Sequence, residues 1–600
     1  MPKFKIEKPD NLVDHFNIAT EKFSDNKFLG TKNKDTGKYE WLTYREIRDK
    51  TDKFRGGLSS KGIKKGDSVG IIANNRFEWA VAAFATYGLS ARFIPMYENE
   101  TQRTWEYIIK DAGIKFLLIS TEEIYEQLKH LLKETDSLEN IYIIETEAEN
   151  SMKALEEYGA KNPVEPQIPN SNEIAALIYT SGTTSDPKGV LLTHGNFISN
   201  ARAGNNRYYM LNESSRSLSI LPWAHSYGQV AELYNWLFAG GAIGFMENVE
   251  TLAEDMIQIK PTFLIAVPRV FNKIYDGIQA KMNEAGGIKK KLFDMAVHAA
   301  EKNRIQNGNI NLSTKIKLAL GDKLVFSKIR AKFGGQLEAS ITASAKMNDD
   351  ISVFFSDIGL PVYDCYGLSE TSPALTMSSP KHHKRGSVGT ALEMIDIRID
   401  KSMTGNGQED GEIQVMGPNL MVGYHNKEKQ TSEVFTEDGW LKTGDRGRLD
   451  EEGFLFITGR IKEQYKIQNG KYVFPAAIEE DIRLLPYIEN AMIYGEGRPH
   501  NVGIIVINCD ILKKMAEMMK MKTKVDKLIH SPIVQEFISN EIQKSLKEKY
   551  GRYEIPKKFI YIKENFSIEN GMLTQTFKLK RRNVLGKYLE QIENLYKSDK

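Results

Sequence analysis

Cysteine is nearly absent from this chain: its 600 residues include two, Cys365 and Cys509. Two thiols do not make a disulfide framework, and their scarcity suits a reducing compartment. There is no Cys-x-x-Cys and no His-x-x-x-His, which speaks against structural or catalytic zinc. An excess of one charge is missing too. Against 81 Lys and Arg stand 79 Asp and Glu, so the basic footprint of a dedicated nucleic-acid binder is lacking and no nucleic-acid partner is expected. Long apolar runs are also absent: residues 79–91 and 233–246 fall short of the roughly 18 residues a spanning helix needs, and they read as buried elements. Residues 1–10 alternate Lys with acids around no apolar core, unlike a signal peptide. No solenoid-type repeat is visible. A cytoplasmic protein is expected, with peripheral contact at the inner face of a membrane and oligomer formation left open.

What is present is the ordinary balance of a globular protein, 41% hydrophobic and 27% charged. A chain of this length predicts at least two domains. Apolar, β-rich runs at 68–73, 116–119, 141–144, 175–179 and 263–267 alternate with helical patterns. That alternation predicts an α/β fold with largely parallel strands. Residues 281–333 are richer in Lys and helix formers, predicting two or three helices inserted between sheet elements. After Gly411 come short strands punctuated by Asp438-Gly439, Glu452-Gly453 and Asn469-Gly470 turns. The expected division is a large part over 1–459 and a small α/β part over 460–600, with a helical stretch from 510 to 550.

One loop invites chemistry. Tyr179-Thr-Ser-Gly-Thr-Thr-Ser-Asp-Pro-Lys-Gly-Val190 follows a strand pattern and precedes a helix start near His194-Gly-Asn196. Its hydroxyls can donate to phosphate oxygens, its glycines permit close backbone approach, and Lys188 can offset charge. It is not a Walker A loop, because Gly189 follows the lysine where Ser or Thr is needed. Such composition alone describes many polar surface loops.

Four further segments accompany it: Tyr366-Gly-Leu-Ser-Glu370, Gly439-Trp-Leu-Lys-Thr-Gly-Asp445, Thr458-Gly-Arg-Ile-Lys462 and Leu573-Thr-Gln-Thr-Phe-Lys-Leu-Lys-Arg-Arg582. With the loop, in this order and spacing, they resemble the signature of the adenylate-forming, or AMP-binding, superfamily. The likeness runs over nearly the whole chain, from Trp41-Leu-Thr-Tyr44 onward.

The resemblance implies a layered α/β N-terminal domain with a small, mobile C-terminal lid, and an acid joined to ATP to give an acyl-adenylate. It implies that Thr180, Ser181, Gly182, Thr183, Thr184 and Lys188 cradle the phosphates. Tyr366 would stack on the adenine, Gly367 would belong to the nucleotide site, Ser369 would lie near the α-phosphate, and Glu370 at a magnesium ion. Asp445 would accept the ribose hydroxyls, with Arg460 near the ribose or phosphates. Lys578 would touch the acid and the α-phosphate in the first half-reaction, Lys580 being the alternative in that basic tail. Lys462 would be the hinge. His225, in Leu221-Pro-Trp-Ala-His-Ser-Tyr-Gly228, matches a segment lining the acyl pocket, though a lone histidine is as often structural. Cys365 reads as a small core residue and His382-His383 as solvated loop residues.

Three positions depart from the family pattern. Ser185 stands for a glycine in the phosphate loop, Gln575 for a common proline, and Ala343-Ser-Ala-Lys346 for Gly-Gly-Ala-Pro beside the adenine. The helical insertion and Val267-Pro-Arg-Val-Phe-Asn272 resemble long-chain fatty acyl-CoA synthetases, which implies ATP, Mg²⁺, coenzyme A and a long-chain fatty acid as partners. Loading of an acyl carrier protein remains an alternative, as does a relative that binds without turnover.

Overall fold

A computed structural model describes the chain except for residues 1–6, 181–185, 249, 346, 403–408, 462, 519–524, 575–577 and 598–600, with backbone alone at 514–518 and 525–526. Ser181, Gly182, Thr183, Thr184, Ser185, Lys346, Lys462 and Gln575 therefore lie outside the described residues.

Four of the five apolar runs become strands of a seven-stranded sheet. Its order is Gly423–Tyr424, Lys188–Thr193, Ile174–Thr180, Arg92–Met96, Ser68–Ile72, Ile114–Ile119 and Asn140–Ile143. The last five strands pair in parallel. Ser68–Ile72 is buried at every position, as expected of a parallel strand covered on both faces. The helix Tyr44–Ser60 shares an apolar cluster with that strand and begins with a capping box, in which Thr43 and Glu46 satisfy each other's backbone N–H groups.

Two more sheets share this core. One runs Tyr39–Thr43, Lys27–Lys32, Ala242–Phe245, Arg216–Ser219; the other runs Phe263–Ala266, Ala339–Thr342, Val362–Gly367, Ala374–Met377, Thr390–Ala391. An antiparallel sheet follows, of Asp396–Asp400, Gly411–Met416, Leu441–Leu449 and Leu455–Arg460. Gly439, Gly453 and Gly470 sit at φ of +86°, +80° and +82°, the left-handed turn positions their dipeptides announced.

Between Phe263–Ala266 and Ala339–Thr342 the chain makes Pro268–Ala285, Gly287–Ile305, Leu312–Gly321, a π-turn Asp322–Phe326 and Ser327–Ala331. The helices thus start before residue 281, at a proline in the first turn, where the missing N–H costs nothing.

Beyond residue 460 two apolar clusters are built, within their buried members, from residues 465–596 alone. They flank a three-stranded sheet of Ile488–Tyr494, Val502–Ile507 and Lys558–Ile562. The expected helical stretch over 510–550 holds Cys509–Met518, Val525–Ile529 and Pro532–Leu546, with a break at His530 and Ser531. Pro532 cannot continue a preceding helix and begins a new one. No described helix is long and apolar enough to cross a membrane.

Candidate functional site

The strand ends of the large part and the C-terminal segment enclose a cleft of about 1410 Å³. Thr180, Lys188, His225, Tyr366, Gly367, Ser369, Glu370, Asp445, Arg460 and Lys578 all line it. They come from positions up to 398 residues apart, and the fold assembles them.

Lys188 opens the strand Lys188–Thr193, opposite Thr180 in the antiparallel register. Its ammonium lies 4.9 Å from the centroid of the Tyr424 ring, a cation–π distance. Tyr424 reaches this place because Gly423–Tyr424 adds to the sheet edge at Val190 and Leu191. The Tyr424 hydroxyl donates to Glu370 Oε1 at 2.8 Å. One tyrosine thus links Lys188 to the turn carrying Glu370. No motif on which the resemblance rests includes it; its only sequence signal is an aromatic after glycine in Met421-Val-Gly-Tyr-His425.

Tyr366 and Gly367 end a strand, and Ser369–Thr371 forms the tight turn carrying Glu370. Gly367 is required by packing: a Cβ there would stand 1.8 Å from the Pro373 carbonyl oxygen. Buried Ser369 accepts from the Ser226 hydroxyl at 3.4 Å.

Asp445 is 4% exposed and lies beside Arg460 across the strand pair. The Arg460 Nε is 3.0 Å from its Oδ1, and the Tyr366 hydroxyl donates to its Oδ2 at 2.8 Å. Each oxygen retains further acceptor capacity. Tyr366, read as a stacking ring, therefore also holds the carboxylate by its hydroxyl.

Lys578 is pinned through its backbone: its N–H donates to Thr574 Oγ1 at 3.0 Å and its carbonyl accepts from the Thr574 N–H at 2.8 Å. Burial, with the Arg460 charge next, pushes its ammonium down to about 8, against the pull of Asp445, Glu370 and Glu463. Lys580, the alternative, does not line the cleft, whereas Arg581 does. His225 accepts from the Tyr227 N–H through Nδ1 at 3.1 Å. Burial, and then the Lys578 charge, push its imidazole down to about 4, so at neutral pH it is uncharged with its proton on Nε2.

The cleft lining also includes the Tyr227 ring and the apolar Val230, Ala231, Val267 and Ala343. Val230 and Ala231 sit in a π-turn, Gln229–Tyr234, whose extra residue re-aims side chains. Glu232 in that turn is buried away from the cleft and accepts from Trp223 Nε1 at 2.8 Å; burial raises its carboxyl to about 7. At the departing segment, Ser344 adopts φ +75°, a left-handed conformation that favours glycine. Cys365 is buried and its thiol is pushed well up by burial, as suits a core residue. His382 and His383 are exposed.

Comparison with known proteins identifies the fold and the family. A family model for AMP-binding enzymes matches residues 18–425, and one for the AMP-binding enzyme C-terminal domain matches 462–600. The peroxisomal long chain acyl-CoA synthetase 7 of Arabidopsis thaliana is 30% identical, covering 98% of this chain and 86% of its own. Long-chain-fatty-acid–CoA ligase 5 of Rattus norvegicus is 31% identical over 93% of this chain and 85% of its own. Long-chain-fatty-acid–CoA ligase FadD15 of Mycobacterium bovis is 30% identical over the full length of both. Among solved structures, the adenylation domain of a carboxylate reductase from Mycobacterium chelonae superposes with a TM-score of 0.79 at 19% identity, covering 98% of this chain and 92% of its own. The anthranilate CoA ligase AuaEII, in complex with anthranoyl-AMP, superposes with a TM-score of 0.72 at 18% identity, covering 98% of each chain. The chain belongs to the AMP-binding enzyme family and has the adenylate-forming fold.

Proposed function

We propose that this protein is a long-chain fatty acid–CoA ligase. A carboxylate oxygen of the fatty acid attacks the α-phosphorus of ATP and pyrophosphate leaves. The thiol of coenzyme A, giving up its proton, then attacks the acyl carbon of the acyl-adenylate and AMP leaves. The carrying observation is that Lys578, Asp445, Arg460 and Glu370 line one cleft together with His225 and the apolar Val230, Ala231 and Val267. The full-length relatives named as long-chain synthetases support the acyl chain and coenzyme A.

Two anions must meet in the first step, so placement of positive charge dominates. In this reading the Lys578 ammonium bridges the acid and the α-phosphate, and Thr180 and Lys188 face the outer phosphates with residues 181–184. Asp445, steadied by Tyr366 and Arg460, accepts the ribose hydroxyls, and Tyr366 and Gly367 flank the adenine. Neutral His225 offers Nε2–H at the head of the acyl pocket without placing a second positive charge beside Lys578. Ser369 contributes a hydroxyl near the α-phosphate.

Magnesium fits these residues. Glu370 offers carboxylate oxygen, one atom of which takes the Tyr424 hydroxyl. Among the described residues no group of three acidic, His or Cys side chains is placed to hold a metal ion by itself. Glu370, substrate phosphate oxygens and water make the donor set Mg²⁺ prefers. The ion, when bound, offsets phosphate charge. Lys578 must then leave so that the thiol can approach, which requires the small C-terminal part to turn about Lys462.

The test is product analysis across a chain-length series, with coenzyme A or an acyl carrier protein as acceptor. AMP, pyrophosphate and a long-chain acyl-CoA are expected. ADP and phosphate would replace adenylation by an acyl-phosphate route, and transfer to the carrier protein alone would change the acceptor.

A further inference from the structure

Exposed aliphatic side chains gather on one part of this surface. Along Leu312–Gly321 and the π-turn that continues it, Leu312, Ile316, Leu320 and Leu324 recur every fourth residue and are between 43% and 73% exposed. Spacing of four on a helix makes a single stripe. The opposite face is occupied: Val325 and Phe326 belong to a buried apolar cluster, with Leu318 packed against it, and Gly321 faces Ala296, with 2.4 Å between a built Cβ and the Ala296 Cβ. The helix is thus apolar on both sides, and only one is covered by the protein. The partner helix Gly287–Ile305 adds exposed Ile288 and Ile305.

The charge around the stripe is predominantly positive. Between residues 286 and 333 there are eleven Lys and Arg against three Asp and Glu, in a chain that is otherwise balanced. Lys315, Lys317, Lys323 and Lys328 are exposed beside it. Each acid has a partner within the segment: Asp322 receives both terminal nitrogens of Arg330, at 2.7 and 3.0 Å, Asp294 pairs with Lys290, and Glu301 lies 3.5 Å from His298 Nδ1. A solvated helix face would carry mixed charges and few aliphatics. Aliphatics in a file between lysines fit a surface that is apolar beneath and negative at its boundary.

We infer that the helical hairpin formed by Gly287–Ile305 and Leu312–Gly321 docks on an anionic lipid bilayer, with Leu312, Ile316, Leu320 and Leu324 entering the acyl boundary and the lysines meeting lipid phosphates. The hairpin is joined to the cleft through Pro268–Ala285, whose first turn contributes Pro268, Arg269 and Asn272 to the cleft wall. Docking here holds that wall close to the phase in which long-chain acids dissolve. Lipid binding itself needs no turnover, so it stands or falls separately from the ligase reading.

Flotation of the full chain without substrates tests it. The protein should float with vesicles of phosphatidylcholine mixed with phosphatidylglycerol and stay behind with phosphatidylcholine alone. Ile316→Ser with Leu320→Ser, and separately Lys315→Ser with Lys317→Ser, should each lower the bound fraction about tenfold. Tyr158→Ser with Ile168→Ser, equally exposed apolar residues elsewhere, should bind as the parent does. If the aliphatic pair costs the thermal transition, the lysine pair decides. Failure to float with the anionic vesicles, equal flotation with neutral ones, or undiminished binding by the lysine pair overturns the inference. So does a dimer in solution that the Ile316→Ser, Leu320→Ser protein cannot form, since the stripe would then be a protein interface.

Discussion

Arg581 and Glu479 hold each other through two parallel hydrogen bonds three residues beyond Lys578. The Arg581 Nη1 donates to Glu479 Oε1 at 2.7 Å, and Nη2 donates to Oε2. The same Oε1 takes the Ile493 N–H at 2.7 Å, so the pair ties the Lys578 segment to the helix Pro475–Ile482 and the strand Ile488–Tyr494. Planar bidentate geometry fixes orientation as well as distance.

Arg581→Lys keeps the charge and loses the fork. Lys578 should then be misplaced, lowering adenylation about tenfold or more by pyrophosphate exchange. Thiol transfer from supplied acyl-AMP should change little. Equal loss in both steps would mean that the pair supports only the fold.

Asp445→Ala should weaken ATP binding by about 1.5–3 kcal/mol for each charged hydrogen bond lost, read by calorimetric titration. Glu370→Ala should raise the magnesium concentration needed for half-maximal rate. Unchanged ATP affinity in a folded Asp445→Ala protein would remove Asp445 from the nucleotide site.

Lys578 has an ammonium held down at about 8 in the ligand-free protein. A lysine is charged below its pKa and neutral above it, so the needed charge is lost as pH rises through about 8. The kcat/KM for adenylation, which reports the free enzyme, should therefore fall above that pH. In Lys578→Arg, whose guanidinium stays charged, this falling limb should vanish at a lower overall rate. A limb that persists in Lys578→Arg would assign it to another group.

Lys462→Pro should separate the half-reactions. Proline fixes φ near −65° and removes an N–H, restricting a turn of the C-terminal part while the cleft residues stay in place. Thioester formation should slow far more than adenylation, and Lys578→Ala should do the reverse. Equal slowing of both steps by Lys462→Pro would place the hinge elsewhere.

Gly367→Ala should cost more than about 2 kcal/mol of stability, because the added Cβ meets a backbone oxygen that flexible side chains cannot yield. Thermal melting measures it. A tolerated alanine would show that the turn carrying Glu370 can shift.

The chemistry of this protein was written locally, and so the sequence by itself determined the family, the α/β class and the cleft residues carried by contiguous motifs. Glycine and hydroxyl residues in a phosphate loop, or a Thr-Gly-Asp turn before a carboxylate, keep their character wherever the chain folds. The strand cores were legible for the same reason, since Ser68–Ile72 and Phe263–Ala266 are continuous apolar runs. The start of the helical insertion was not, because Pro268 reads equally as the end of a strand or the first turn of a helix.

Only the tertiary structure decided which groups meet. Tyr424 joins Lys188 to Glu370 because a two-residue strand adds to a distant sheet edge, and no local periodicity encodes that pairing. Glu479 finds Arg581 102 residues away. The helix Leu312–Gly321 has aliphatics around its circumference, so its own sequence could not say which face the core would take. Packing of Gly321 against Ala296 settled that, and left the stripe from Leu312 to Leu324 facing outward.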